Sequence, residues 1–126
     1  MNVVAAVIER DGQILICQRK SGRHALKWEF PGGKIELGES PQEALARELR
    51  EELAIDARIG DELHRQQVRY GSGPVLRLSF FRVTEFSGEP LNLQFEQIVW
   101  ADRWTLPDYD FLEGDVAFVK QLAQPL

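Results

Sequence analysis

The segment from Ser40 to Leu53 carries the strongest structural signal in the sequence. Ser40 offers a hydroxyl for the N-cap, Pro41 suits the first helical position, and Glu43 completes a capping box. At 100° per residue, the apolar side chains that follow lie within one arc of about 100° and are Leu45, Ala46, Leu49 and Leu53. The sequence therefore predicts a helix from Pro41 to about Leu53 with one face against a core.

Apolar and alternating runs on both sides of this helix predict strands. We expect strands over residues 2–10, 13–19, 28–30, 57–70, 75–84 and 97–104, and a short last helix over 116–122. Asp11 and Gly12 predict a tight hairpin between the first two strands, and residues 71–74 predict the turn of a second hairpin. Two hairpins therefore flank the central helix.

Composition limits the classes of partner. The chain has 126 residues, which predicts one domain over 1–126, and its net charge of −5 disfavours nucleic-acid polymers and anionic membranes. The longest apolar run, Val3 to Ile8, is too short to span a membrane.

The single cysteine, Cys17, lies in an apolar run, so we expect a buried, inert thiol and a cytoplasmic protein. His24 and His64 lack metal-ligand spacing and are expected at the surface.

The predicted helix also has an acidic face. Glu48, Glu51 and Glu52 are spaced three and four residues apart, so their like charges repel by a few tenths of a kcal/mol per pair. A bound cation would relieve that repulsion. The alternative is a solvated acidic face on which Arg47 and Arg50 act as local counterions.

Residues 33–55 read GKIELGESPQEALARELREELAI. This segment resembles the Nudix box, G-x5-E-x7-R-E-U-x-E-E-x-G-U, in which U is a bulky aliphatic residue. One specified position differs, because Ala54 stands where the family has glycine, and this affects the exit from the helix rather than the chemistry. The preceding WEFPGG motif, the strands and the last helix resemble the MutT type of Nudix hydrolase over nearly the whole chain.

The resemblance implies an α/β fold, an α/β/α sandwich with a mixed β-sheet, and hydrolysis of a nucleoside diphosphate linked to another group. A diphosphate is strongly anionic, so an acidic protein needs a divalent metal at such a site, and oxygen ligands suit Mg²⁺ or Mn²⁺. The ligands implied are Glu39, Glu48, Glu51, Glu52 and the carbonyl of Gly32. Arg47 is implied to orient Glu48, or else is only a surface partner of Glu51.

The general base is a separate question. Relatives of the MutT type carry a glutamate as E-x-Q before the strand that ends in tryptophan, whereas here the residues are Gln94, Phe95 and Glu96. Glu96 is therefore our candidate base, with Glu48 or Glu52 as the alternative.

The resemblance also implies a nucleotide pocket. Gly33 and Lys34 are candidate phosphate contacts, and Arg19, Phe30 and Asp115 are candidate base contacts. Each has a structural alternative: a simple turn for Gly33, a solvated charge for Lys34, a strand-end charge for Arg19, a core side chain for Phe30 and a first-turn helix residue for Asp115.

These features predict an enzyme that converts nucleoside triphosphates to monophosphates and pyrophosphate. We expect 8-oxo-dGTP as the substrate and a role in cleaning the nucleotide pool, which protects DNA. The alternative substrates are (d)CTP and 5-methyl-dCTP. A non-catalytic nucleotide sensor is the alternative from another class, although all four box glutamates are present. Either a monomer or a homodimer is compatible with the sequence.

Overall fold

The computed structural model describes residues 1–125, so the last residue of the predicted domain lies outside the described part. In chain order the elements are β1 (Asn2–Arg10), β2 (Gln13–Gln18), β3 (Trp28–Glu29), β4 (Gly32–Lys34), α1 (Pro41–Leu53), β5 (Asp56–Arg58), β6 (Glu62–Val68), β7 (Leu76–Val83), β8 (Glu85–Ser87), β9 (Gln97–Asp102) and α2 (Val116–Ala123). Two 3-10 helices, Arg103–Asp108 and Glu113–Asp115, precede α2.

The sheet is mixed and is organised around β1. Its main path runs β3-β2-β1-β7-β6, with β4 beside β1 and β9 beside β2. The β1–β7 pairing is parallel, and the other pairings in this sheet are antiparallel. Strands β5 and β8 form a small separate pair. The α/β prediction with a mixed sheet is confirmed.

Helices cover both faces of this sheet. Side chains of β1 alternate between two buried clusters, because successive residues in a strand point to opposite faces. Val4, Ala6 and Ile8 pack with Leu49 and Leu53 of α1. Ala5 and Val7 belong to the other cluster, with Leu106, Phe118 and Val119. The core thus has two layers, and α1 and α2 lie on opposite sides of the sheet.

Helix α1 begins and ends as its local sequence dictates. The Ser40 hydroxyl accepts a hydrogen bond from the Glu43 N–H, and the Glu43 carboxylate accepts one from the Ser40 N–H. At the C-terminus Ala54 adopts the left-handed conformation (φ 57°, ψ 35°) that glycine takes at this position. Ala44 is buried instead of Ala46, which is half-buried, and Glu52 joins the buried face.

The expected strand over 57–70 is wrong as a continuous element. It divides into β5 and β6 because the Gly60 and Arg82 backbones hydrogen-bond across the break and β5 pairs with β8. The hairpin of β6 and β7 is present, and the strand after Gln97 ends at Asp102, where a 3-10 helix begins. No helix within residues 1–125 is long and apolar enough to span a membrane.

Candidate active site

A cleft of about 380 Å³ opens between the first strands, the turn before α1 and the segment before α2. Seven of the residues singled out in the sequence line it, and they are Arg19, Phe30, Gly32, Gly33, Lys34, Glu52 and Asp115. These residues come from four separate stretches of chain, so the fold itself brings them together.

The turn after Pro31 needs glycine for close approach. A Cβ atom at Gly32 would overlap the carbonyl oxygen of Val4 on β1, and one at Gly33 would lie 2.5 Å from the Cδ atom of Glu48. The two glycines therefore let the backbone pack between β1 and the acidic face of α1. A side chain at Gly33 would displace the Glu48 carboxyl group.

Glu52 is the most unusual acid in the site because it is only 3% exposed. Its Oε1 accepts a hydrogen bond from the Gly32 N–H at 3.2 Å, and its carboxyl group hydrogen-bonds that of Glu48. Burial, followed by repulsion from Glu48, raises the pKa of Glu52 to about 9. The two carboxyl groups therefore lie close together in a buried place, where a bound cation would offset their repulsion.

Arg47 connects the acids of the turn and the helix. Its Nε donates to Glu39 at 2.7 Å, its Nη1 donates to Glu48 at 3.0 Å, and its Nη2 donates to the Lys34 carbonyl at 3.1 Å. It also reaches Glu51 at 3.3 Å, so the surface-partner alternative describes only part of its contacts. The hydrogen bond from Arg47 lowers the pKa of Glu39.

The acids around Arg47 offer the oxygen donors that a hard divalent cation prefers. Within residues 1–125, no group of three or more acidic, histidine or cysteine side chains converges as metal ligands. Glu39, Glu48 and Glu51 instead all bind Arg47, and Glu52 accepts a hydrogen bond from the Gly32 N–H. The oxygen donors of this set suit a divalent cation, and the excess of negative charge around Arg47 favours binding of such a cation.

The structure brings Gln94 to the site and leaves Glu96 outside it. The Gln94 Nε2 atom lies 3.4 Å from Glu52 Oε2, and Gln94 lines the cleft. Glu96 is exposed, and its N–H donates to the Gln18 carbonyl next to β9. Residues 94 and 96 flank the buried Phe95, so alternation along an extended segment would put both side chains on the same side. Their different positions come instead from the loop bend, in which the Phe95 N–H donates to the Asn92 side chain.

Arg19 and Glu29 form an ion pair on the wall of the cleft. The Arg19 Nη1 atom donates to Glu29 at 3.1 Å, while the buried Nε atom of Arg19 has no hydrogen-bond partner. Burial raises the pKa of Glu29, and Arg19 partly offsets that effect. Phe30 packs against Phe80 in the core and also lines the cleft, so it stays a candidate base contact.

Asp115 is a buried carboxyl group, 5% exposed, on the cleft wall. It stands at the N-cap of α2 but makes no side-chain capping hydrogen bond there. Burial, followed by repulsion from Glu29, raises the pKa of Asp115 to about 7. Ionisation of Asp115 is therefore less favourable than that of an exposed carboxyl group.

Three further residues of the cleft wall are not among the predicted site residues, and they are Glu29, His24 and Tyr70. Glu29 belongs to the WEFPGG motif, directly before Phe30. His24 and Tyr70 line the cleft with ring centroids 4.9 Å apart. His24 and His64 are both half-buried, so each side chain stays partly exposed at the surface. His24 packs against Tyr70 and His64 against Phe118, and both partners are distant in sequence, so no local pattern indicates these contacts.

Comparison with known proteins decides the family. The NUDIX domain model matches residues 1–122. The chain belongs to the Nudix hydrolase family. It is 39% identical to the CTP pyrophosphohydrolase of Escherichia coli over 95% of this chain and 89% of that protein. It is 33% identical to the 8-oxo-dGTP diphosphatase of Haemophilus influenzae over 97% of this chain and 90% of that protein.

Solved structures of Nudix hydrolases share the fold. The crystal structure of the MutT NUDIX hydrolase from Burkholderia pseudomallei superimposes with a TM-score of 0.85 at 29% identity, covering 95% of each chain. The predicted resemblance, the Nudix fold and the assignment as an enzyme of this family are confirmed.

Proposed function

We propose that this Nudix hydrolase converts nucleoside triphosphates to nucleoside monophosphates and pyrophosphate with the help of Mg²⁺. The observation that carries the proposal is the buried Glu52 carboxyl group, which accepts a hydrogen bond from the Gly32 N–H and lies against Glu48 at the wall of a cleft that reaches Asp115. A triphosphate needs positive charge at one end of such a cleft and base recognition at the other.

The acidic residues would hold the cation. Glu48, Glu51 and Glu52 on α1, with Glu39 and the Gly32 carbonyl, supply only oxygen donors, which suit Mg²⁺ and also Mn²⁺. The bound cation would supply the positive charge that this acidic protein lacks for binding phosphate oxygens. Lys34 at the cleft and the backbone of Gly33 complete the phosphate end.

The protein's own groups then orient the reactants. Arg47 fixes the position of Glu48 through its 3.0 Å hydrogen bond, so that Glu48 can polarise the attacking water. We assign the acceptance of the water's proton to the Glu48 and Glu52 pair, because Glu96 is exposed, lies outside the cleft lining and donates its backbone N–H to the Gln18 carbonyl. Glu96 stays a weaker candidate that mutation can test.

Asp115 is the proposed base contact, and 8-oxo-dGTP is the proposed preferred substrate. A guanine edge offers N1–H and N2–H donors and an O6 acceptor, so it can pair twice with Asp115 in either protonation state. Because leaving one side of a buried carboxyl group unpaired costs about 1–3 kcal/mol, this double pairing matters. Arg19 and Phe30 supply further contacts on the same wall.

The cytidine alternative has its own support, since the CTP pyrophosphohydrolase of Escherichia coli is 39% identical. A cytosine edge offers the N4 amino donor and the N3 acceptor, which pair twice only with a protonated carboxyl group. The ionised form of Asp115 would face the N3 lone pair. The two substrates therefore predict different pH dependences for one titrating side chain.

The test measures pyrophosphate release with Mg²⁺ from 8-oxo-dGTP, dGTP, dCTP and 5-methyl-dCTP between pH 6 and 8.5. The ratio of kcat/KM for the cytosine nucleotides to that for 8-oxo-dGTP should fall as pH rises through about 7, the pKa of Asp115. The ratio cancels titrations common to all substrates. The Asp115→Asn variant keeps one donor and one acceptor and should abolish the pH step.

Three results would change the proposal. A higher kcat/KM for the cytosine nucleotides at neutral pH would assign the enzyme to the cytidine alternative. Equal losses on all four substrates in Asp115→Ala would remove base recognition from Asp115. Nucleotide binding without pyrophosphate release would favour the sensor function. We place the activity in the cytoplasm, where Cys17 stays a buried free thiol, as a monomer or homodimer that removes damaged nucleotides before they enter DNA.

A further inference from the structure

The segment that carries Asp115 lacks support from its own side chain. Asp115 ends a three-residue 3-10 helix and makes no capping hydrogen bond to α2. A carboxyl group that selects a base must nevertheless be held in one place, because recognition depends on its distance and angle to the base edge. The support for this segment therefore comes from elsewhere in the fold.

The inner face of β6 and its continuation supplies that support. The alternate residues His64, Gln66, Val68 and Tyr70 are half-buried, whereas Gln67 between them is exposed. The Gln66 Nε2 atom donates to the carbonyl oxygen of the residue before Asp115. The Tyr70 hydroxyl oxygen accepts a hydrogen bond from the N–H of that same residue at 3.1 Å. One backbone unit is thus held at both of its polar groups.

The residue between them is Gly114, and its lack of a side chain permits the contact. A Cβ atom there would lie 2.6 Å from the Tyr70 hydroxyl oxygen and 2.8 Å from Val68 Cγ2. Gly114 does not have a positive φ, so its backbone conformation is open to any residue. Glycine is needed here for close approach to β6.

Neighbouring rings fix the two supporting side chains. The His64 Nε2 atom lies 2.8 Å from the Gln66 Oε1 atom, and the His64 ring stacks on Phe118 of α2 with centroids 4.9 Å apart. Because the Gln66 amide nitrogen donates to Gly114, its oxygen is the acceptor, so His64 carries a proton on Nε2. The Tyr70 ring packs against the His24 ring at an interplanar angle of 55°, with centroids 4.9 Å apart.

We infer that Gln66 and Tyr70 are positioning residues that clamp the Gly114 backbone and thereby hold Asp115 in place for base recognition. The inference rests on the proposed role of Asp115 in the function above. It predicts that substrate selectivity is determined partly by two side chains that form no contact with the reacting phosphates.

The experiment compares Tyr70→Phe and Gln66→Met with two matched controls. Tyr70→Phe keeps the ring and removes the hydroxyl, and its control is Tyr109→Phe, whose ring packs against Trp28. Gln66→Met keeps the length and removes the amide, and its control is Gln67→Met on the exposed side of β6.

Each clamp variant should raise KM for the preferred nucleotide about fivefold, the change that loss of one neutral hydrogen bond produces, with kcat unchanged. The preference for that nucleotide over a poor substrate should fall by a similar factor. The controls should keep wild-type KM and preference. A fall in kcat with unchanged preference would refute the clamp.

A double-mutant cycle separates this inference from the proposed function. In the Asp115→Ala background, Tyr70→Phe should lower the preference no further, because the group that it positions is gone. Additive losses would overturn the clamp and leave base recognition by Asp115 intact. If Asp115→Ala loses activity equally on all nucleotides, base recognition fails and the clamp loses its purpose. Gly114→Ala, which pushes Tyr70 and Val68 away, should reproduce the clamp variants.

Discussion

Ala54→Gly is expected to stabilise the protein, and the structure gives the size of the effect. Ala54 adopts φ 57° and ψ 35°, a left-handed conformation that costs an L-residue about 1–2 kcal/mol relative to glycine. Glycine offsets about 0.5–1 kcal/mol of this gain, because the unfolded chain is more flexible at a glycine and loses more entropy on folding. Ala54 is exposed, so no packing is lost, and its N–H keeps its 3.1 Å hydrogen bond to the Arg50 carbonyl.

The net gain is therefore about 0.5–1 kcal/mol in the free energy of unfolding, or about 2–4 °C in Tm for a chain of this size. Urea denaturation followed by circular dichroism measures the first, and calorimetry the second. The slope of the urea transition should stay constant, because the surface exposed on unfolding does not change.

Two further variants test whether the left-handed backbone at residue 54 is the cause of the gain in stability. Ala46→Gly lies inside α1 and should lose about 1 kcal/mol, the ordinary cost of glycine in a helix interior. Ala54→Val places a β-branched side chain at positive φ and should destabilise the protein. If Ala54→Gly is no more stable than the wild type while Ala46→Gly loses about 1 kcal/mol, the backbone at residue 54 is not strained.

The remaining predictions concern the acidic site. Glu51→Gln and Glu52→Gln should each remove most of the hydrolytic activity without unfolding the protein, and unchanged turnover in both would refute the metal-site assignment. Gln94→Glu should change kcat, because residue 94 contacts Glu52, whereas Glu96→Gln should leave kcat within about twofold; a hundredfold loss in Glu96→Gln would restore Glu96 as the base. In EDTA, the free energy of unfolding should fall as pH rises from about 4.5 to about 9, because over that range the unfolded state has released the Glu52 proton and the folded state retains it. Glu52→Gln should flatten this slope in urea titrations across that range, and an unchanged slope would show that another group titrates.

Asp115 gives a related stability effect. Its folded-state pKa of about 7 exceeds its ordinary value of 3.8, so it also disfavours folding progressively as pH rises between those values. Asp115→Asn should be more stable than the wild type at pH 8 and about equally stable at pH 3, as measured by urea denaturation. A smaller stability for the variant at pH 8 would show that the ionised carboxyl group has a favourable partner in the fold.

Helix α1 could be predicted from sequence because its start depends on groups close in the chain. The Ser40 and Glu43 side chains satisfy each other's backbone N–H groups across three residues, so no tertiary contact is needed to begin the helix at Pro41. The same locality brings Glu48, Glu51 and Glu52 together on one side of α1. The Nudix-box resemblance added the assignment of those acids to a hydrolase site.

Contacts between distant segments decided the rest. The burial of Glu52 depends on the turn at Gly32, twenty positions earlier, and a local pattern shows only another acid on an acidic face. The placement of Gln94 at the cleft and of Glu96 outside it depends on a loop bend rather than on alternation. Side-chain periodicity reports which residues share a face of one element, but it carries no information about the element packed against that face.

The environment of Asp115 shows the same division. From sequence it is an acid at the start of a helix, where the helix dipole favours it. In the fold, Gln66 of β6 and Tyr70 just after that strand reach it through the backbone of Gly114, which lies 48 and 44 residues further along the chain. Sequence alone determined the local elements and the chemistry of their side chains. Only the tertiary structure determined which side chains lose water, and loss of water is what changes the pKa of an acid and gives a polar contact its selectivity.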